Sequence, residues 1–205
     1  MNIYFVRHGE SELNATRIHQ NATTPLSPLG NQQAEAVAKR LSHLPIDQLI
    51  SSHYTRAHST AQAISKAVNL PVTICELFHE VDRPSALHGL HYQDPFAQKT
   101  LDRIRKNHSD KNYRHSDEET FYHAVERADQ ALEYIRGLSH SEVVIVSHGT
   151  FLRLLISRMI FDDMFNHALF EKMSGFLISN AGITHCTYQD GEFRLVSWND
   201  RSHFA

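Results

Sequence analysis

Ile3-Tyr4-Phe5-Val6-Arg7-His8-Gly9-Glu10-Ser11 is a short β-branched and aromatic run followed by an arginine, a histidine and a glycine. The apolar run predicts a buried strand, and Gly9 ends it and lets backbone come close to a ligand. In α/β proteins the crevice beyond the carboxyl end of such a strand is where ligands bind. An arginine fork there can hold two phosphate oxygens, and a neutral imidazole can attack phosphorus. The tripeptide alone fits an ordinary charged turn equally well, so the rest of the chain has to decide between the two.

Working outward, Glu142-Val143-Val144-Ile145-Val146-Ser147-His148-Gly149 repeats the arrangement: an apolar strand, a histidine at its carboxyl end, then glycine and a helical pattern. Two parallel strands ending in this way bring their imidazoles into one crevice. Ser51-Ser52-His53-Tyr54-Thr55-Arg56-Ala57 places Arg56 just past another strand, where a helix N-terminus and a guanidinium both favour an anion. That all three segments end in a group suited to phosphate argues against coincidence.

Strands are expected at Ile3 to Val6, Leu49 to Ser51, Val72 to Cys75 and Val143 to Val146. Between them, Ser27-Pro28-Leu29-Gly30 opens a helix with Ala34, Val37, Ala38 and Leu41 on one face. Further helices are expected over Thr55 to Val68, about Glu118 to Leu138, and Thr150 to Ile160. Gln189-Asp190-Gly191-Glu192 between two apolar runs is a hairpin signal. Strands alternating with helices imply an α/β fold with a mostly parallel sheet covered on both faces. One domain over residues 1–205 is expected, with a lid or insertion at about 79–113, where the pattern is polar and irregular.

Composition narrows the partners. The chain has 205 residues, 41% of them apolar, and no uninterrupted apolar run of about 18 residues, so no membrane span is expected. Ile3 to Val6 is too short for the core of an export signal, and the expected compartment is the cytoplasm. Cys75 and Cys186 each sit in an apolar run and read as buried thiols. A formal net charge of -3 gives no reason to expect nucleic acid or an anionic membrane as partner, so anion affinity must be local. His88 and His91 are three apart but lack a ligand set at zinc-like spacing, and no metal is expected. A homodimer is left open, since an apolar edge near Ile183 to Trp198 could pair with a second chain or be covered by the tail.

Taken together, Arg7-His8-Gly9-Glu10-Ser11 with Asn14, Thr24-Pro25-Leu26-Ser27-Pro28-Leu29-Gly30 with Gln33-Ala34, Ser51-Ser52 with Arg56-Ala57 and Thr60-Ala61, and Ser147-His148-Gly149 resemble the histidine phosphatase superfamily. This is the family of the cofactor-dependent phosphoglycerate mutases and their phosphatase relatives. The resemblance implies a three-layer α/β/α sandwich and a phosphohistidine on His8. It implies that Arg7, Arg56 and His148 surround the phosphoryl oxygens, with Asn14 and the Gly149 amide as further donors. His148 serves there only if protonated, which a phosphate dianion favours, whereas His8 must be neutral to attack. The family takes the proton for the leaving group from a carboxylate after the third strand. Glu80 is the best match, with Glu76 second and Asp82 still open, because Val81-Asp82-Arg83-Pro84 departs from the glycine and Trp-Glu-Gly that follow the acid in many relatives. No cofactor is implied. The expected activity is hydrolysis of a small phosphorylated metabolite, with mutase-type transfer or phospho-ligand binding without turnover as alternatives. Arg83, His88, His91 and Arg103 would make the lid cationic and favour an anionic substrate.

Overall fold

A computed structural model describes residues 1–204. In chain order the elements are β1 (Asn2–Arg7), α1 (Glu12–Ala15), α2 (Pro28–Leu41), β2 (Gln48–Ser51), α3 (Thr55–Val68), β3 (Thr73–Ile74), α4 (Pro95–Asn107), α5 (Phe121–Arg136), β4 (Glu142–Ser147), α6 (Gly149–Phe161), α7 (His167–Lys172), β5 (Ile183–Gln189) and β6 (Glu192–Asp200). The six strands form one sheet in the order β3-β2-β4-β1-β5-β6. β1, β2, β3 and β4 run parallel, and β5 and β6 extend the sheet antiparallel from β1.

Strand alternation feeds two separate cores. Ile3, Phe5, Val143 and Ile145 pack on one face against Ala128, Leu132 and Ile135 of α5 and Phe151, Leu152 and Leu155 of α6. Val6, Val144 and Val146 pack on the other face against Val37 and Leu41 of α2 and Ala57, Ala61 and Ile64 of α3. Because both faces are covered, these strands are apolar at every position rather than at every second one. The result is the three-layer α/β/α sandwich.

Local signals explain most boundaries. The Ser27 hydroxyl caps α2 by accepting from the Gly30 amide at 3.0 Å, and Pro28 stands in the first turn where its missing N–H has no partner to lose. α5 begins at Phe121, three residues later than the pattern predicts, because Thr120 caps it through the His123 amide. Glu118 therefore lies outside the helix, its buried carboxylate accepting from the amides of His115 and Ser116. At the hairpin, Asp190 (φ 54°) and Gly191 (φ 82°) supply the two left-handed residues that a tight turn matched to strand twist requires.

Three sequence expectations need correction. β3 has only two residues, both exposed, at the sheet edge, so the run from Val72 was apolar without being core. Cys75 just after it is half-buried, and Cys186 alone is a fully buried thiol. The stretch 79–113 contains α4, capped by Asp94 Oδ1, which accepts from the Phe96 and Ala97 amides at 2.8 and 3.1 Å. Its apolar stripe is thin, with only Ala97 and Thr100 buried, so periodicity did not reveal it.

Candidate active site

The register of the parallel strands builds the site. Arg7 pairs with Ser147, and Ser51 with Val146, so β1, β4 and β2 end at one level. The residues that follow, His8, His148 and the start of α3, converge on a cleft of about 470 Å³ at that edge. Arg7, His8, Asn14, Arg56, Glu80 and Gly149 all line it, while His148 is buried next to His8 and outside the lining.

His8 is almost completely buried. Its Nδ1 lies 2.6 Å from the Gly9 carbonyl oxygen, and Arg56 Nε–H donates to its Nε2 at 3.2 Å. The two contacts are consistent with one tautomer only: Nδ1 carries the proton and Nε2 holds the lone pair. Burial, followed by the neighbouring charges of Arg56 and Arg7, pushes the imidazole well below its ordinary value, so His8 is neutral at pH 7. A neutral imidazole with a fixed lone pair beside two guanidiniums has the form of a nucleophile at an anion site.

His148 is fully buried, its ring centroid 5.0 Å from that of His8. Nε2 meets the Ser52 hydroxyl at 2.9 Å, and Nδ1 is buried with no partner. Burial and the Arg56 charge also hold this histidine well below its ordinary value. In the ligand-free protein His148 is therefore neutral, and the expectation of a protonated His148 applies only once an anion enters. Arg7 is anchored by Nη1–H donation to the Ile178 carbonyl at 2.6 Å, with a buried, unpartnered Nε. A Cβ on Gly149 would come within 3.2 Å of that nitrogen, so a larger residue where α6 starts would press on the Arg7 side chain.

Of the candidate acids, Glu80 and Asp82 line the cleft, and Glu76 is exposed outside it. Glu80 also caps α6: its two carboxylate oxygens accept from the Thr150 and Phe151 amides at 3.1 and 2.8 Å. The loop carrying it is pinned by Arg127 of α5, which donates to the Leu77 and His79 carbonyls at 2.7 and 2.9 Å and pairs with Glu119. Asp82 is engaged elsewhere, accepting from the Tyr54 hydroxyl at 2.5 Å. Asn14 sits in the first turn of α1 with its side chain toward the cleft. Its amide N–H completes a turn with Ser11 Oγ at 3.2 Å, while its side chain lines the cleft with a buried, unpartnered Oδ1.

Of the four cationic residues expected over the substrate, Arg83 and His88 line the cleft and His91 and Arg103 do not. Sequence reasoning missed Tyr54, Tyr92 and Arg153 in the lining. For Arg153 a signal existed, since it follows Gly149 by four residues and so shares its helix face. The potential metal donors that cluster among the described residues are His108, His167 and Glu171, away from the cleft. The two imidazoles are stacked, 3.1 Å between centroids with 21° between planes, so their lone pairs run side by side instead of converging on one point.

The model of the histidine phosphatase superfamily (branch 1) matches residues 3–201. The chain belongs to the histidine phosphatase superfamily. It is 30% identical over 162 residues to "Probable phosphoglycerate mutase GpmB" of Escherichia coli, covering 78% of this chain and 75% of that protein. Among solved structures, the α-ribazole phosphatase of Shigella flexneri superposes with a TM-score of 0.80 at 24% identity, over 98% of this chain and 96% of that one. A mutant phosphoserine phosphatase of Entamoeba histolytica, in complex with phosphoserine, gives a TM-score of 0.81 at 24% identity, over 100% and 99%. At that identity these structures establish the histidine phosphatase fold.

Proposed function

We propose that the protein is a phosphomonoester hydrolase of small phosphorylated metabolites, working through a phosphohistidine on His8 without a metal. The observation that carries this reading is the fixed lone pair on His8 Nε2, held by the Gly9 carbonyl behind and Arg56 in front. As the ester enters, Arg56 Nε–H turns from Nε2 to the phosphoryl oxygens, and the freed Nε2 lone pair attacks phosphorus while the bond to the ester oxygen breaks. The Glu80 carboxyl gives its proton to the departing alkoxide. Water then attacks the phosphohistidine, Glu80 takes its proton back, and the N–P bond breaks to release phosphate. Arg7 and Arg56 carry the charge on the equatorial oxygens, and His148 becomes a donor to them when the dianion's field raises its proton affinity. Asn14 and the Gly149 amide complete the donor set. The solved relatives named as phosphatases of α-ribazole phosphate and phosphoserine support a phosphatase reading.

The relative named as a mutase favours a second reading, transfer of the phosphoryl group back to the leaving alcohol. Both are tested by supplying a panel of phosphomonoesters, 3-phosphoglycerate included, with a chelator present, to the wild type and to His8→Ala. A hydrolase releases inorganic phosphate from several esters, and His8→Ala loses at least about 10³-fold in turnover. A mutase instead converts 3-phosphoglycerate to its isomer with little free phosphate. Equal turnover by both proteins would remove His8 from the chemistry.

A further inference from the structure

The cleft does not end at Glu80. Val81, Asp82 and Arg83 on one side, and Thr150 and Arg153 on the other, line both it and an adjoining chamber of about 570 Å³. This chamber lies between α4, the start of α5, and α7, and Leu101, Ile104, Phe121 and Phe170 give it an apolar wall. With Glu80 as the proposed acid, the ester oxygen departs on the side of the cleft that Val81 and Thr150 share with this chamber.

The doorway is cationic. Arg153 makes one hydrogen bond within the protein, Nε–H to the Phe176 carbonyl at 3.2 Å, and neither it nor Arg83 has a carboxylate within ion-pair distance among the described residues. The acidic groups lining the chamber have other partners: Asp82 the Tyr54 hydroxyl and His79, Glu118 the amides of His115 and Ser116, Glu119 Arg127, Asp110 the Asn112 amide and Glu171 His167. Burial lowers the proton affinity of Arg153, with Glu80 opposing, so this guanidinium gains from an anion that replaces its lost water.

Resting on the hydrolase reading of the cleft, the geometry points to a leaving group with two parts: an anionic substituent held by Arg83 and Arg153 at the doorway, and an apolar or aromatic body lodged against Phe121 and Phe170. The anion, a carboxylate or a second phosphate, supplies orientation through charge-assisted hydrogen bonds. The body supplies affinity by burial of its apolar surface.

The test compares phenyl phosphate, 2-naphthyl phosphate and its 6-carboxylate as substrates, and measures calorimetrically their binding to His8→Ala, which holds esters without consuming them. The expected order of kcat/KM is carboxynaphthyl, naphthyl, phenyl. Arg153→Ala is expected to reduce the carboxynaphthyl ester about ten- to a hundred-fold further than the naphthyl ester, consistent with loss of a hydrogen bond to a charged group. Arg83→Ala is expected to move the same ratio in the same direction, and Phe170→Ala to erase the advantage of naphthyl over phenyl. Equal handling of the three esters, or an equal loss on all of them in Arg153→Ala, would overturn the inference. If the wild type hydrolyses none, binding decides. A carboxylate preference in His8→Ala that vanishes with Arg153→Ala upholds the chamber while the hydrolase reading fails, and binding without preference overturns the chamber.

Discussion

At the scale of single residues, the site is a set of groups whose neighbours fix their protonation. His8 is neutral because it is buried beside Arg56 and Arg7, and its lone pair is on Nε2 because Nδ1 is spent on Gly9. Glu80 lines the cleft and caps α6, which makes it the proposed acid, whereas Asp82 is held by Tyr54. Glu80→Gln keeps one capping oxygen but has no proton to give. It is expected to lower kcat by about 10² to 10⁴ while costing no more than about 1 kcal/mol of stability. Asp82→Asn is expected to change kcat less than tenfold. Steady-state kinetics with denaturant melts on both variants checks the assignment, and a larger loss in Asp82→Asn would move the acid to Asp82. Arg7, His8, Arg56 and His148 were legible in the sequence because each follows a recognisable strand or opens a helix. The candidate acids Glu80, Glu76 and Asp82 could not be separated in the sequence, since nothing local tells a cleft-lining carboxylate from an exposed one. Tyr54 and Tyr92 reach the cleft through tertiary packing, which no short motif encodes, whereas Arg153 carried a signal in its spacing from Gly149.

At the scale of elements, one close approach holds the machinery in place. The loop after β1 presses on the first turn of α2 so closely that a Cβ at Gly30 would sit 1.8 Å from the Glu10 carbonyl oxygen. Gly30→Ala is therefore expected to destabilise the fold by more than about 2 kcal/mol, since backbone rather than a mobile side chain stands in the way. Gly175→Ala, where nothing lies within 4 Å, is the control and should melt within about a degree of the wild type. Thermal melts of the two variants decide, and equal midpoints would show that the loop yields without cost. The central sheet could be anticipated because strands buried on both faces are apolar throughout and stand out. α4 could not, because a helix with two buried residues leaves almost no periodic trace. β3 was overestimated for the converse reason, its apolar side chains being exposed at an edge.

At the scale of the whole molecule, the sandwich stores several histidines in neutral form. Burial lowers His8 and His148 well below their ordinary value, and His167 to about 4. In the unfolded chain these groups protonate near about 6.5. Below that pH the unfolded state binds more protons, so stability rises with pH there and is lost as pH falls from about 6.5 toward the folded-state values. The melting midpoint is expected to fall between pH 7 and pH 5, with a shallower slope in His167→Gln; a flat profile would mean these imidazoles charge freely inside the fold. The proposed hydrolase reading of the cleft and of its adjoining chamber rests on a covalent phosphoryl group on His8. Rapid quenching of the wild type in alkali during turnover of a ³²P-labelled ester, with a chelator present, followed by peptide mapping, observes that group directly. The prediction is an acid-labile, alkali-stable label on the peptide containing His8, absent from His8→Ala. Full turnover with no label on that peptide, or a label that survives in His8→Ala, would contradict it.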